Sequence, residues 1–434
     1  MSRGYVVSLA LLLALLAASC RQSRAPAPGQ PVGAAPTPVG QTALRLAAFD
    51  GGAKLNPYQT IIAQYEKDNP NTVVYLEATA QGDYLARLGS DTAAAPDVLQ
   101  VSDGMLQRLA AQGALADLGP TLAACGLDAA AYQPNVTLPG RLGEKLYLLP
   151  HSYTPLVVYY NKKLFRQFNV AEPKDGWTWD DFLKTAQALT RRSANNKQLW
   201  GVELPAAWAD GFEALALANG GRLVSEDGTQ YVGYMDSDAV AGALQFYADL
   251  YQKHRVAPAP IDAGQVGGGN TQFESGEAAM RFGDRSLEAA LRKNPAIELG
   301  IVGLPAGKER ANVLFWDGLG LMASSANPEA AGRFLCALAG PPSRDVWADW
   351  GLPTLAAAGS GGASSDPAAA VWLGELPYVK PRAAATTAWW AETGQAPLAR
   401  AIQQTITGRA AAKDALAGAA REAQAALDQK LQKE

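Results

Sequence analysis

From residue 44 onward the chain switches repeatedly between two hydrophobic periods. Strand-like and helix-like stretches in alternation require a sheet with helices laid on it. Leu44-Arg45-Leu46-Ala47-Ala48-Phe49 alternates and reads as a strand, with Asp50-Gly51-Gly52 as the loop behind it. A helix is expected next. Asn56 is placed to cap it, Pro57 suits its first position, and Tyr58, Ile61, Ile62 and Tyr65 form one apolar face that Asn69-Pro70 ends. Thr72-Val73-Val74-Tyr75-Leu76 is the second strand. A further unit has a helix over 84–88, the strand Asp97-Val98-Leu99-Gln100-Val101 and a helix over 105–112. The order implies an α/β chain with parallel pairings.

Residues 146–160 are extended but interrupted by Pro150 and Pro155, which suits a segment crossing between lobes better than one continuous strand. The middle is mostly helical. Thr178 caps a helix bearing Phe182, Ala186 and Leu189, and Val240, Ala243, Leu244, Tyr247, Leu250 and Tyr251 form another stripe. Strand-like Leu299-Gly300-Ile301-Val302 and Leu319-Gly320-Leu321-Met322-Ala323 return late, before a helix over 327–338. Residues 359–365 read as a loop, and 399–431 as an Ala-rich helical tail suited to close packing.

The N-terminus carries an address. Arg3, an apolar run over 6–16 too short to span a bilayer, and Ala17-Ala18-Ser19 make residues 1–19 an export signal. Leu16-Ala17-Ala18-Ser19-Cys20 resembles the bacterial lipobox, which implies lipidation of Cys20, although Leu16 stands one place early. Residues 20–42 are rich in Pro and Ala and read as an extended tether. Cys125 and Cys336 remain, and an exported setting permits a disulfide between them; two buried thiols fit equally well.

Several chemistries are disfavoured. With 37 basic and 41 acidic residues the formal charge is −4, leaving no basic excess for nucleic acid. Only His151 and His254 occur, neither in metal-ligand spacing, and Gly267-Gly268-Gly269 has neither the lysine nor the flanking strand of a nucleotide loop. Loop carboxylates Asp50, Asp103, Asp284 and Asp317 keep open a glycoside hydrolase or lyase. Carboxylates beside aromatic rings serve sugar binding equally well.

Four patterns then occur in one order: Tyr65-Glu66-Lys67-Asp68-Asn69-Pro70; Ala95-Pro96-Asp97-Val98-Leu99; Tyr160-Asn161-Lys162-Lys163-Leu164-Phe165 with Trp177-Thr178-Trp179-Asp180-Asp181-Phe182; and Phe273-Glu274-Ser275-Gly276-Glu277-Ala278-Ala279-Met280. Together they resemble bacterial extracellular solute-binding proteins of carbohydrate ABC transporters, the maltose-binding-protein-like group. That resemblance implies a type II periplasmic-binding-protein fold with discontinuous lobes, hinge strands and a central cleft. The first lobe would take 43–150 plus about 300–350, and the second 151–299 plus about 351–434. It further implies a monomeric, extracytoplasmic lipoprotein, not an enzyme and with no cofactor. Such a protein captures a sugar, oligosaccharide or polyol for its permease.

Carried over residue by residue, the resemblance places Phe49, Asp50 and above all Asp103 on the cleft, with Tyr153 and Thr154 from the crossing segment. Trp208, Trp316 and Asp317 join them, as do Trp389 and Trp390, which helix packing would explain equally. Where the family commonly has a tryptophan, this chain has Gly283-Asp284-Arg285-Ser286. Arg285 there would favour an acidic sugar or phosphorylated polyol, unless Asp284 and Arg285 merely pair with each other.

Overall fold

A computed structural model describes residues 40–49, 51–78, 95–133, 135–193, 196–204, 208–259, 272–348 and 367–432, within one unit running from Gly40 to Glu434. Cys20, the tether, Asp50, the helix expected over 84–88, the triple glycine and the loop at 359–365 lie outside the described residues.

The strands in chain order are β1 (Thr42–Ala48), β2 (Thr72–Ala78), β3 (Val98–Ser102), a short hairpin of β4 (Arg141–Leu142) and β5 (Lys145–Leu146), β6 (Leu148–Pro155), β7 (Val157–Asn161), β8 (Arg191–Arg192), β9 (Gln198–Glu203), β10 (Ala278–Gly283), β11 (Leu299–Val302) and β12 (Leu314–Leu321). They build two five-stranded sheets, ordered β2-β1-β3-β12-β6 and β11-β7-β10-β9-β8. Parallel pairs join β1 to β2, β1 to β3 and β10 to β9, as the alternating periods imply. The late strands run against their neighbours: β12 is antiparallel to both β3 and β6, and β7 to both β10 and β11. Each sheet carries its own helices, which gives the two-lobed α/β fold. Among the described residues no helix is long and apolar enough to cross a membrane.

Local expectations are met in most places for the reasons that prompted them. The helix Asn56–Asp68 buries Tyr58, Ile61, Ile62 and Tyr65 with Pro57 in its first turn. Asn56, however, is already helical and makes no capping bond. Thr178 does cap Trp179–Leu189, in a reciprocal box with Asp181. The Ala-rich tail is two helices, Gln395–Ile406 and Ala412–Leu431, parted near Gly408 at φ +72°. Ala412, Ala415, Ala419, Ala420 and Ala423 are buried on the second of them, where small side chains permit close approach. Cys125 and Cys336 form a disulfide.

The crossings between sheets are short and tied together. Only Leu156 separates β6 in the first sheet from β7 in the second. The chain returns through 303–313, so the first sheet resumes at Leu314; β11 belongs to the second sheet, although a return near residue 300 is expected from sequence. Asn312, fully buried, accepts the Leu156 N–H at 3.1 Å and donates to its carbonyl at 2.9 Å. It also donates to Glu375 Oε2 at 2.6 Å, and Arg310 donates to Glu375 Oε1 at 2.5 Å. Its backbone pairs with Tyr378 and Lys380. Both crossings and the stretch 375–380 therefore meet at one buried amide.

Candidate functional site

Strand β12 lies between β3 and the edge strand β6 of the first sheet and presents successive side chains to opposite faces. Trp316 turns inward. It is 3% exposed, its indole N–H donates to the Val136 carbonyl at 2.8 Å, and its ring leaves no room for a Cβ at Gly318, which would lie 2.3 Å away. It is a core residue, and the expectation of a cleft tryptophan there is corrected. Its neighbour Phe315 takes the other face and stacks on Trp208, with centroids 5.9 Å apart and planes 8° apart.

That ring pair adjoins a buried polar cluster. Arg382 sits 4.6 Å over the Phe315 ring and donates to Asp210 at 3.0 Å. Its other terminal nitrogen lies 3.6 Å from the Asp103 carboxylate. Asp103 opens the turn that follows β3, and burial raises its carboxyl above the usual range, against the pull of the Arg382 charge. Asp210 also accepts from the Trp390 indole at 3.3 Å and from Gln395 at 2.9 Å. One turn further along the helix Ala209–Ala218, Glu213 accepts the Ala383 N–H at 2.6 Å, while its Oε2 has no partner among the described residues. Burial raises Glu213 to about 8, with Arg382 opposing and Asp210 and Asp103 reinforcing the shift. The cluster thus holds three carboxyl groups around one guanidinium beside a stacked ring pair. Such a site can accept hydroxyl hydrogen bonds and cover C–H faces.

The remaining expected residues, Trp390 apart, fall elsewhere. Thr154 accepts the Arg285 N–H at 3.1 Å, and Asp284 folds back onto the Ser286 N–H at 2.8 Å. Arg285 does not pair with Asp284; its guanidinium lies 3.8 Å from Glu288, which also accepts from Arg292 and from the buried Trp372 indole. An ion pair within its own turn leaves Arg285 a weak reason to expect an acidic ligand. Tyr153 is 1% exposed, and burial raises its hydroxyl, with the Arg285 charge opposing. The Phe49 N–H donates to Gln100 at 3.1 Å, and Asp317 stands in register between Ser102 and Ser152. Trp390 is 3% exposed, and the Trp389 ring has Arg108 and Lys430 each 4.5 Å from its centroid, so neither offers a bare platform. Asp103, Trp208 and Trp390 are brought together; Arg382, Asp210, Glu213, Gln395 and Phe315, which complete their site, carry no motif. Strict alternation along β12 would have pointed to Phe315, since Leu314 and Trp316 share the face buried with Leu148 and Tyr153.

Comparisons with known proteins agree with the two-lobed fold. The chain is 28% identical to the diacetylchitobiose binding protein DasA of Streptomyces coelicolor over 247 residues, which is 55% of either chain. It thus spans about half the length of that curated relative. In structure it superposes on the sugar-binding protein MalE of Xanthomonas citri with TM-score 0.77 and 21% identity, covering 90% of this chain and 98% of the other. A Listeria monocytogenes ABC substrate-binding protein in complex with cycloalternan gives TM-score 0.74 at 22% identity, covering 90% and 99%. The family profile described as bacterial extracellular solute-binding protein matches residues 51–345, and the chain belongs to that family.

Proposed function

We propose that the protein is the capture subunit of an ABC importer. It binds a sugar, oligosaccharide or related polyol between its lobes and delivers it to a membrane permease without chemical turnover. The observation that carries this reading is the Trp208–Phe315 ring pair set against the Asp103–Arg382–Asp210 cluster. Rings match sugar C–H faces, and carboxylates match adjacent hydroxyls. The names of its relatives support a carbohydrate, since diacetylchitobiose and cycloalternan are the ligands of two of them. A monomer tethered by a lipid on Cys20 stays close to its permease, and labelled palmitate is expected to enter the wild-type chain but not Cys20→Ala.

A thermal-shift panel of neutral mono- and oligosaccharides tests the reading. At least one sugar is expected to raise Tm in proportion to the logarithm of its concentration above Kd, with the sugar recovered unchanged. Trp208→Ala is expected to weaken that sugar about tenfold, or ~1.4 kcal/mol, as stacking is lost. Hydrolysed sugar in the recovered material, or a panel with no shift, defeats the proposal.

A further inference from the structure

Asp103, Asp210 and Glu213 converge on the single guanidinium of Arg382, so this cluster holds more carboxylate than cation. The nearest basic residues in the chain do not correct the excess. Arg108 donates to Glu392 at 2.8 Å and lies with Lys430 on the Trp389 ring, while Lys380 pairs with Glu309 at 2.6 Å. Nor are the acceptors of the cluster all filled. Asp210 receives Arg382, Trp390 and Gln395. Asp103 Oδ1 accepts the Gly104 N–H at 2.9 Å, but its Oδ2 stands 3.6 Å from Arg382, beyond hydrogen-bond length, on a side chain that is 10% exposed. Glu213 Oε2, on a residue 2% exposed, has no partner among the described residues.

We infer that the site selects a cationic carbohydrate, a sugar with a free, protonated amino group that docks at Asp103 beside the Trp208 and Phe315 rings. The inference rests on the receptor reading and narrows it. A buried carboxylate needs a cation, or it takes up a proton. Burial raises Glu213 to about 8, with Arg382 opposing and Asp210 and Asp103 reinforcing the shift, so an ammonium entering the cluster acts in the same sense as Arg382. A sugar hydroxyl donates one hydrogen bond and leaves the charge excess as it was. An ammonium donates up to three and cancels one unit of charge. Its desolvation is the opposing cost, and charge-assisted hydrogen bonds, roughly twice as strong as neutral ones, offset it. The rings add to the preference, because the negative face of an indole attracts a cation as well as covering C–H groups.

Acetylating the amino group removes its charge and leaves the ring hydroxyls in place, so matched pairs isolate it. Titration calorimetry on the full chain at about pH 6.5, where the amine is charged, compares glucosamine, galactosamine and the glucosamine dimer with their N-acetylated forms. At least one amine is expected to bind about tenfold tighter than its acetylated counterpart. Asp103→Asn, which keeps the size and one acceptor oxygen, is expected to bring that ratio near one. An acetylated sugar bound as tightly as its amine overturns the inference, and so does a neutral sugar of the thermal-shift panel that binds where no amine does; both leave the receptor reading intact. A tenfold ratio kept by Asp103→Asn also overturns it, because the charge is then read elsewhere. Should that variant not fold, the wild-type ratio decides. If no sugar of either kind binds, the receptor reading falls and the inference with it.

Discussion

Replacing Cys125 and Cys336 together by serine is expected to lower the free energy of unfolding by about 4 kcal/mol, within a range of about 2 to 5. Urea titration of the variant beside the wild type, with and without reductant, measures it. The two cysteines are 211 positions apart. In the unfolded chain the bridge closes a very large ring, and the chain entropy it removes grows with the logarithm of ring size. In the folded chain it joins the end of the helix Gly119–Ala124 to the helix Pro328–Ala339, both on the first lobe. Phe334, Leu335 and Leu338 of the latter pack into the core formed by β1, β12 and the helix Asn56–Asp68. The bridge therefore fastens the early and late halves of that lobe around everything between them. A loss below about 1 kcal/mol would mean that the unfolded chain is compact enough to keep the halves together unaided.

Two buried titratable groups should shape stability against pH, with opposite signs. Glu213 is raised in the folded protein from 4.5 to about 8. The folded state therefore holds a proton that the unfolded state releases, and stability falls as pH rises through that window. The full effect is on the order of 4 kcal/mol. Glu213→Gln removes it, and is expected to raise stability over wild type by several kcal/mol at pH 8 while changing little near pH 4.5. His151 is lowered from 6.5 to about 3 by burial. Its Nε2 pairs with the Tyr58 hydroxyl at 2.8 Å and its ring stacks on Trp347, while Nδ1 has no partner among the described residues. Here the unfolded state takes up the proton, so stability falls as pH drops from 6.5 toward 3. His151→Gln should flatten that acid limb and leave the alkaline one. Between pH 4.5 and 6.5 the two slopes cancel, so these groups together give a plateau there. Calorimetric melts across pH 3 to 9 for the three proteins decide it, and parallel curves would show that neither group titrates as described.

Secondary structure was legible wherever a period was regular. Tyr58, Ile61, Ile62 and Tyr65 specify their helix, and Thr178 with Asp181 specify a start, because those signals act within one or two turns. Asn56 misled because Pro57 allows the helix to begin a residue earlier. Sheet order was legible only in part. The sequence marks a strand over Leu319–Ala323 where the structure has Leu314–Leu321, and its antiparallel place between β3 and β6 depends on partners more than 150 positions earlier. The site was harder still. Asp103, Asp210, Phe315 and Arg382 come from four distant stretches, and an arginine after a proline carries no local mark of its role. Trp316 was expected from the resemblance, whereas the side of the strand sets Phe315 against Trp208 and Arg382.

Asn312 has a mechanical consequence. Its amide holds both polar groups of Leu156, and with Glu375 and the backbone of Tyr378 and Lys380 it ties both sheet crossings to the stretch 375–380. One side-chain amide thus fastens three stretches that are more than 60 positions apart in the chain.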